Sequence, residues 1–128
     1  MTNTYLGIDY GTVHIGLAVA EHMLATPLPT LQNDEHLIQN LQAIIAHNKV
    51  SHIIVGIPTG RLVPEIKKFA ASLKEAVKLP VTLHDETLSS SDAIKQLIAA
   101  GASRSKKQNE HSYSAAIILE DYLDSATL

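Results

Sequence analysis

The sequence predicts an α/β fold, a five-stranded mixed sheet flanked by helices. Three observations lead there. Short apolar runs that read as strands fill the beginning of the chain with only tight connections between them, which makes an antiparallel meander. From Asp34 the apolar period becomes helical, and helical stretches then alternate with short β-branched runs, the pattern of parallel crossovers. Two further helical stretches close the chain. The predicted order is three strands, helix, strand, helix, strand, helix, helix, with right-handed crossovers. At 128 residues the chain, 1–128, reads as one domain with a substantial core, too short for two lobes and a cleft between them.

The elements follow in order. Tyr5, Leu6, Gly7 and Ile8 form a short apolar run that ends on Asp9, and Gly11 then allows a sharp turn or close approach to a ligand. Residues 15–20 read as a second strand, antiparallel to the first because the connection is so short. A third strand is expected around residues 23–26, before Pro27 and Pro29 break regular pairing. Asp34 is a candidate N-cap for a helix whose buried stripe is Leu37, Leu41, Ile44 and Ile45. Residues 52–58 are a buried strand ending in a glycine and proline turn. Val63, Ile66, Phe69, Ala70, Leu73 and Val77 mark a second helix with Pro64 in its first turn, where a missing N–H is tolerated. Residues 81–84 form the fifth strand, which delivers Asp85 and Glu86 to its carboxyl end. Ser89 with Asp92 resembles a capping box for a third helix up to Gly101, with Ala93, Ile94, Leu97 and Ile98 inward. The last helix is expected from about Ser112, with Ala115, Ala116, Leu119, Tyr122 and Leu123 on one face.

Composition narrows the functional classes. Hydrophobic residues at 45% and charged residues at 18% suit a soluble globular protein. The absence of cysteine excludes disulfides and thiolate metal sites and points to a reducing, cytoplasmic setting. No signal peptide is read before the first strand, and no apolar run is long enough to cross a bilayer. A net charge of −3 gives no general attraction to nucleic acid, so such a partner must be held locally. The densest basic stretch is Arg104, Ser105, Lys106 and Lys107, which serves equally as a solvated loop. The seven histidines show none of the i, i+4 pairing of a helical zinc site.

In a mixed sheet of this kind ligands gather outside the carboxyl ends of parallel strands. That rule places Asp9, the turn at 56–60 and Glu86 in one neighbourhood. A carboxylate at the end of an apolar strand costs several kcal/mol to leave ionised and unpaired, so Asp9 requires a hydrogen-bond network, a cation or a metal, and the purely structural alternative is an Asp that caps the turn.

The stretches GIDYGT at 7–12, IIVGIPTG at 53–60, DETLSS at 85–90 and SAAIILEDYL at 114–123 follow one another as in the YqgF family. That family is described as pre-16S rRNA nucleases and also as Holliday junction resolvases, with a ribonuclease H-like fold. The resemblance covers nearly the whole chain. It implies two-metal phosphodiester hydrolysis, with Mg²⁺ or Mn²⁺ on oxygen ligands, in 5′ maturation of precursor 16S rRNA or on a branched DNA. Asp9 matches the first family acid and Glu86 the second; both would be catalytic and metal-binding. Gly11, Thr12, Arg61, Arg104, Lys106 and Lys107 would contact the substrate. The expected partners are structured RNA, branched DNA or ribosomal precursor particles, with the chain a monomer or homodimer.

The family's third acid lies three residues before the paired alanines of the last helix, and here that position is Ser112. A hydroxyl is a poor Mg²⁺ ligand beside a carboxylate. Glu110 and His111, just upstream, are the candidate replacements, and His111 would favour Mn²⁺ or another transition metal. Val13, His14 and Thr87 also stand where the family usually carries basic residues, so a catalytically weakened member that binds nucleic acid or a ribosomal partner is the second reading. A third reading is the phosphate-binding hairpin of a sugar kinase or actin-like ATPase lobe, which GIDYGT also resembles. One domain of this length cannot close on a nucleotide between two lobes.

Overall fold

The computed structural model describes residues 3–58, 60–85 and 106–126, the last segment with side chains from His111 to Ser125. Its elements are β1 (Tyr5–Tyr10), β2 (His14–Ala20), β3 (Thr26–Gln32), α1 (Leu37–Asn48), β4 (His52–Ile57), α2 (Val63–Val77), β5 (Val81–Asp85) and α3 (Lys106–Ala126). The five strands form one mixed sheet in the order β3-β2-β1-β4-β5. β1, β2 and β3 pair antiparallel, while β4 runs parallel to β1 and β5 parallel to β4. The expected meander and the two parallel crossovers are therefore present. The third helix expected over 89–101 lies outside the described residues.

Each strand alternates its side chains between two cores. Leu6, Ile8, Ile15, Leu17, Ile53 and Val55 face α1 and α2, where they meet Leu41, Ile66, Phe69 and Leu73. Ala18, Ala20 and Ile54 face α3 and meet Ala115, Ile118, Leu119 and Leu123. Where α3 crosses β1 and β2 it meets Gly7, Gly16 and Ala18, and the helix lies almost on the backbone. A Cβ on Gly7 would fall 2.9 Å from the Ala115 carbonyl oxygen, and one on Gly16 only 2.0 Å from that of His111. Among the described residues no helix is long and apolar enough to cross a membrane.

Three boundaries differ from the sequence reading. β3 begins where it was expected to end and carries both prolines. It is an edge strand, and Ile15 pairs with Leu31 while Leu17 pairs with Leu28, so β3 advances three residues against two of β2. This bulge takes up Pro29, whose missing N–H would break a regular central ladder. α1 starts at Leu37, and Asp34 acts just ahead of it: its Oδ1 accepts from the His36 N–H at 2.9 Å, while the N-cap position itself, His36, makes no side-chain cap. α3 starts at Lys106, so the polar stretch read as a loop before Ser112 is already helical.

Candidate active site

Asp9 is the penultimate residue of β1, and the strand pleat directs it to the α3 side, the same side as Gly7. There it meets His111, whose Nδ1 lies 3.1 Å from Asp9 Oδ2. The Asp9 side chain is 16% exposed and that of His111 41%, so the pair sits at the edge of the core with one side open. Two glycines make room for His111. A Cβ on Gly11 would lie 3.2 Å from His111 Cε1, and one on Gly16 would collide with the His111 main chain. His14, exposed at the start of β2, brings its ring to 6.4 Å from that of His111.

The strand end is tied down from the opposite face. Tyr10, the next residue, points toward α2, packs on Phe69 at 5.0 Å, and its hydroxyl donates to Glu65 Oε2 at 2.5 Å. Burial, then the Glu65 carboxylate, push the Tyr10 phenol above its ordinary pKa. Asn33 Nδ2 donates to the Gly11 carbonyl at 2.8 Å and holds the β1–β2 turn against the end of β3.

Ser112 is fully buried and fully committed to the sheet. Its Oγ accepts from the Leu17 N–H at 3.2 Å and donates to the Leu28 carbonyl at 2.6 Å. Leu17 and Leu28 are register partners beside the bulge, so the hydroxyl completes a rung of the β2–β3 ladder. Adjacent helical residues point about 100° apart. With Ser112 inserted between β2 and β3, it is His111 that α3 presents to Asp9.

The remaining predicted residues divide by position. Thr12 is exposed in the turn beside Asp9. Arg61 is exposed in the connection between β4 and α2, next to Gly60, whose φ of 114° lies in the region that glycine alone adopts readily. Lys106, Lys107 and Glu110 lie in the first turns of α3. Glu86 and Arg104 lie outside the described residues. Asp85, by the pairing of Ile57 with Asp85, falls on the α2 side, opposite to Asp9. The end of β5 is two strands from β1, about 10 Å across the sheet at the usual strand spacing. Among the described residues no group of three or more His, Asp and Glu gathers to hold a metal.

Sequence reasoning missed the His84–Asp121 pair, with Nε2 2.6 Å from Oδ2 and Tyr122 edge-on to the imidazole at 5.8 Å. It joins β5 to the far end of α3. The alternation of β5 puts His84 on the α3 side, a signal available once α3 is known to cover that face.

The same chain-long pattern is matched by the family model RuvX, Holliday junction resolvase, over residues 3–125. The chain belongs to the RuvX family. A relative from Geobacillus thermodenitrificans, named "Putative pre-16S rRNA nuclease", is 41% identical over 94% of this chain and 96% of its own. One of the same name from Desulfitobacterium hafniense is 38% identical over 93% and 90%. Among solved structures, T. thermophilus RuvC in complex with Holliday junction substrate superposes with a TM-score of 0.64 at 14% identity, covering 98% of this chain and 95% of that one. The Fowlpox virus resolvase bound to Holliday junction DNA gives 0.61 at 10% identity, covering 98% and 99%. At such identities the likeness is one of fold, and it is the ribonuclease H-like fold expected from the motifs.

Proposed function

We propose that this RuvX protein is a divalent-metal-dependent nuclease that hydrolyses phosphodiester bonds, with precursor 16S rRNA as its substrate in the cytoplasm. The observation that carries the reading is Asp9. A carboxylate at the carboxyl end of a central strand, beside an imidazole and at an edge open to solvent, suits cation and phosphate chemistry.

Two donors suited to a divalent ion stand side by side among the described residues. Asp9 Oδ2 and His111 Nδ1 stand 3.1 Å apart. Two ligands at about 2.1 Å from one octahedral ion lie about 3 Å apart. Asp9 and Glu86 would hold Mg²⁺ or Mn²⁺, and the chemistry such an ion brings when bound is an activated water and charge neutralisation at the leaving oxygen. The chain's own residues do the rest. Tyr10–Glu65 and Asn33–Gly11 fix the strand end that aims Asp9. Arg61, Lys106 and Lys107, with Arg104, supply cations to phosphate oxygens, and Gly11 and Thr12 let the backbone approach the substrate.

The second reading, resolution of a four-way DNA junction, is favoured by the fold shared with the two junction-bound resolvases. Cleavage of labelled precursor 16S rRNA and of a four-way DNA junction, side by side in Mg²⁺ and in Mn²⁺, decides between them. Preferential cutting of the rRNA supports the first reading, and preferential cutting of the junction replaces it by the second. If neither substrate is cut but both are bound, the protein is a binding member of the family.

A further inference from the structure

We propose that His111 is a nitrogen ligand, through Nδ1, to the cation held by Asp9, so that the site selects Mn²⁺ and related transition ions over Mg²⁺. The inference rests on the nuclease reading for the presence of a cation at Asp9, and it assigns that cation a donor that the all-carboxylate pattern lacks. Three independent features converge on His111. Its Nδ1 is the protein atom 3.1 Å from Asp9 Oδ2, the spacing of neighbouring ligands on one ion. Its main chain occupies space that a side chain at Gly16 would take, and its ring lies close against Gly11. The next helical position cannot substitute for it, since Ser112 Oγ is buried and bonded to both β2 and β3.

The metal preference follows from ligand chemistry. Mg²⁺ is a hard ion that takes oxygen donors almost exclusively and gives up water reluctantly. Imidazole nitrogen suits first-row transition ions, and a mixed nitrogen and oxygen set shifts selectivity toward them. To ligate, the imidazole is neutral with its proton on Nε2, so Nδ1 exchanges its hydrogen bond to Asp9 for a bond to the ion that Asp9 also holds.

The test needs no nucleic acid. Electron spin echo spectroscopy of the protein loaded with Mn²⁺ is expected to show ¹⁴N coupling from one imidazole. The coupling disappears in His111→Ala and persists in His14→Ala. Isothermal titration with Mn²⁺ and with Mg²⁺ is expected to show the Mn²⁺/Mg²⁺ affinity ratio falling about ten-fold in His111→Ala and in His111→Asp. Absence of ¹⁴N coupling in the wild-type protein overturns the proposal whether or not any variant folds, as does coupling that survives in folded His111→Ala. If Asp9→Asn abolishes Mn²⁺ binding while His111→Ala leaves the ratio unchanged, the histidine assignment fails and the nuclease reading stands. If neither substitution alters cation binding, the cation is not at Asp9 and both fail together.

Discussion

Replacing Ser112 separates a missing metal ligand from a structural hydroxyl. In Ser112→Ala the Leu17 N–H and the Leu28 carbonyl both lose their partner, at a position with no solvent access. A buried backbone group left unpaired costs about 1–3 kcal/mol, so the pair together costs about 2–4 kcal/mol once the hydroxyl's own desolvation is credited back. For a chain of this size that is a fall in Tm of about 8–15 °C. Ser112→Asp is expected to be worse. A buried carboxylate accepts only, so it meets the Leu28 carbonyl lone pairs in place of the present donation and buries a charge that, among the described residues, has no lysine or arginine beside it. Urea denaturation gives the free energies, and amide exchange at Leu17 localises the loss. Ser125→Ala is the control: its exposed hydroxyl bonds the Asp121 carbonyl at 2.9 Å, and its removal is expected to stay within about 0.5 kcal/mol. The reasoning is refuted if Ser112→Asp folds with wild-type stability and gains Mg²⁺ affinity, because position 112 would then be an open ligand site.

Three more outcomes are expected. Gly16→Ala drives a methyl into the His111 carbonyl and should cost at least about 1–3 kcal/mol while displacing His111 from Asp9, read as a drop in both Tm and Mn²⁺ affinity; Gly60→Ala, whose Cβ would meet nothing, should cost only its φ strain and leave Mn²⁺ affinity intact. Lys78 closes α2 in the left-handed conformation at φ 59°, and Lys49 closes α1 likewise at 55°, so Lys78→Gly should stabilise by about 0.5–1 kcal/mol in thermal unfolding. Tyr10 binds its proton more tightly folded than unfolded, so its contribution is complete below pH 10 and is lost as pH rises through the raised folded pKa; Tyr10→Phe should flatten the fall of Tm with pH in that alkaline window.

Four of the five strands and the first two helices are legible because their apolar periods are clean. Ile53, Ile54 and Val55 are buried together, and Ile66, Phe69, Ala70 and Leu73 repeat at helical spacing. β3 was misread because prolines count against a strand locally, whereas an edge with a bulge accommodates them. The start of α3 was misplaced because residues 106–110 carry no apolar stripe. Asp9 stands out in the sequence as the residue on which the candidate site is proposed, since a carboxylate ending an apolar strand is conspicuous. The role of Ser112 was not. Which face of α3 meets the sheet is decided by contact at Gly7 and Gly16, a tertiary fact. One signal did exist in the chain: Gly7, Gly16 and Ala18 alternate on one side of the first two strands, opposite the paired Ala115 and Ala116, and small residues on both surfaces mark a close approach of helix to sheet.

The most direct test of the central claim is single-turnover cleavage of labelled precursor 16S rRNA by wild type and Asp9→Asn, with divalent ion present or chelated. Cleavage that requires the ion and falls at least about a thousand-fold in a folded Asp9→Asn protein is the expected result. Equal cleavage by both proteins, or cleavage that survives chelation, contradicts a metal nuclease centred on Asp9.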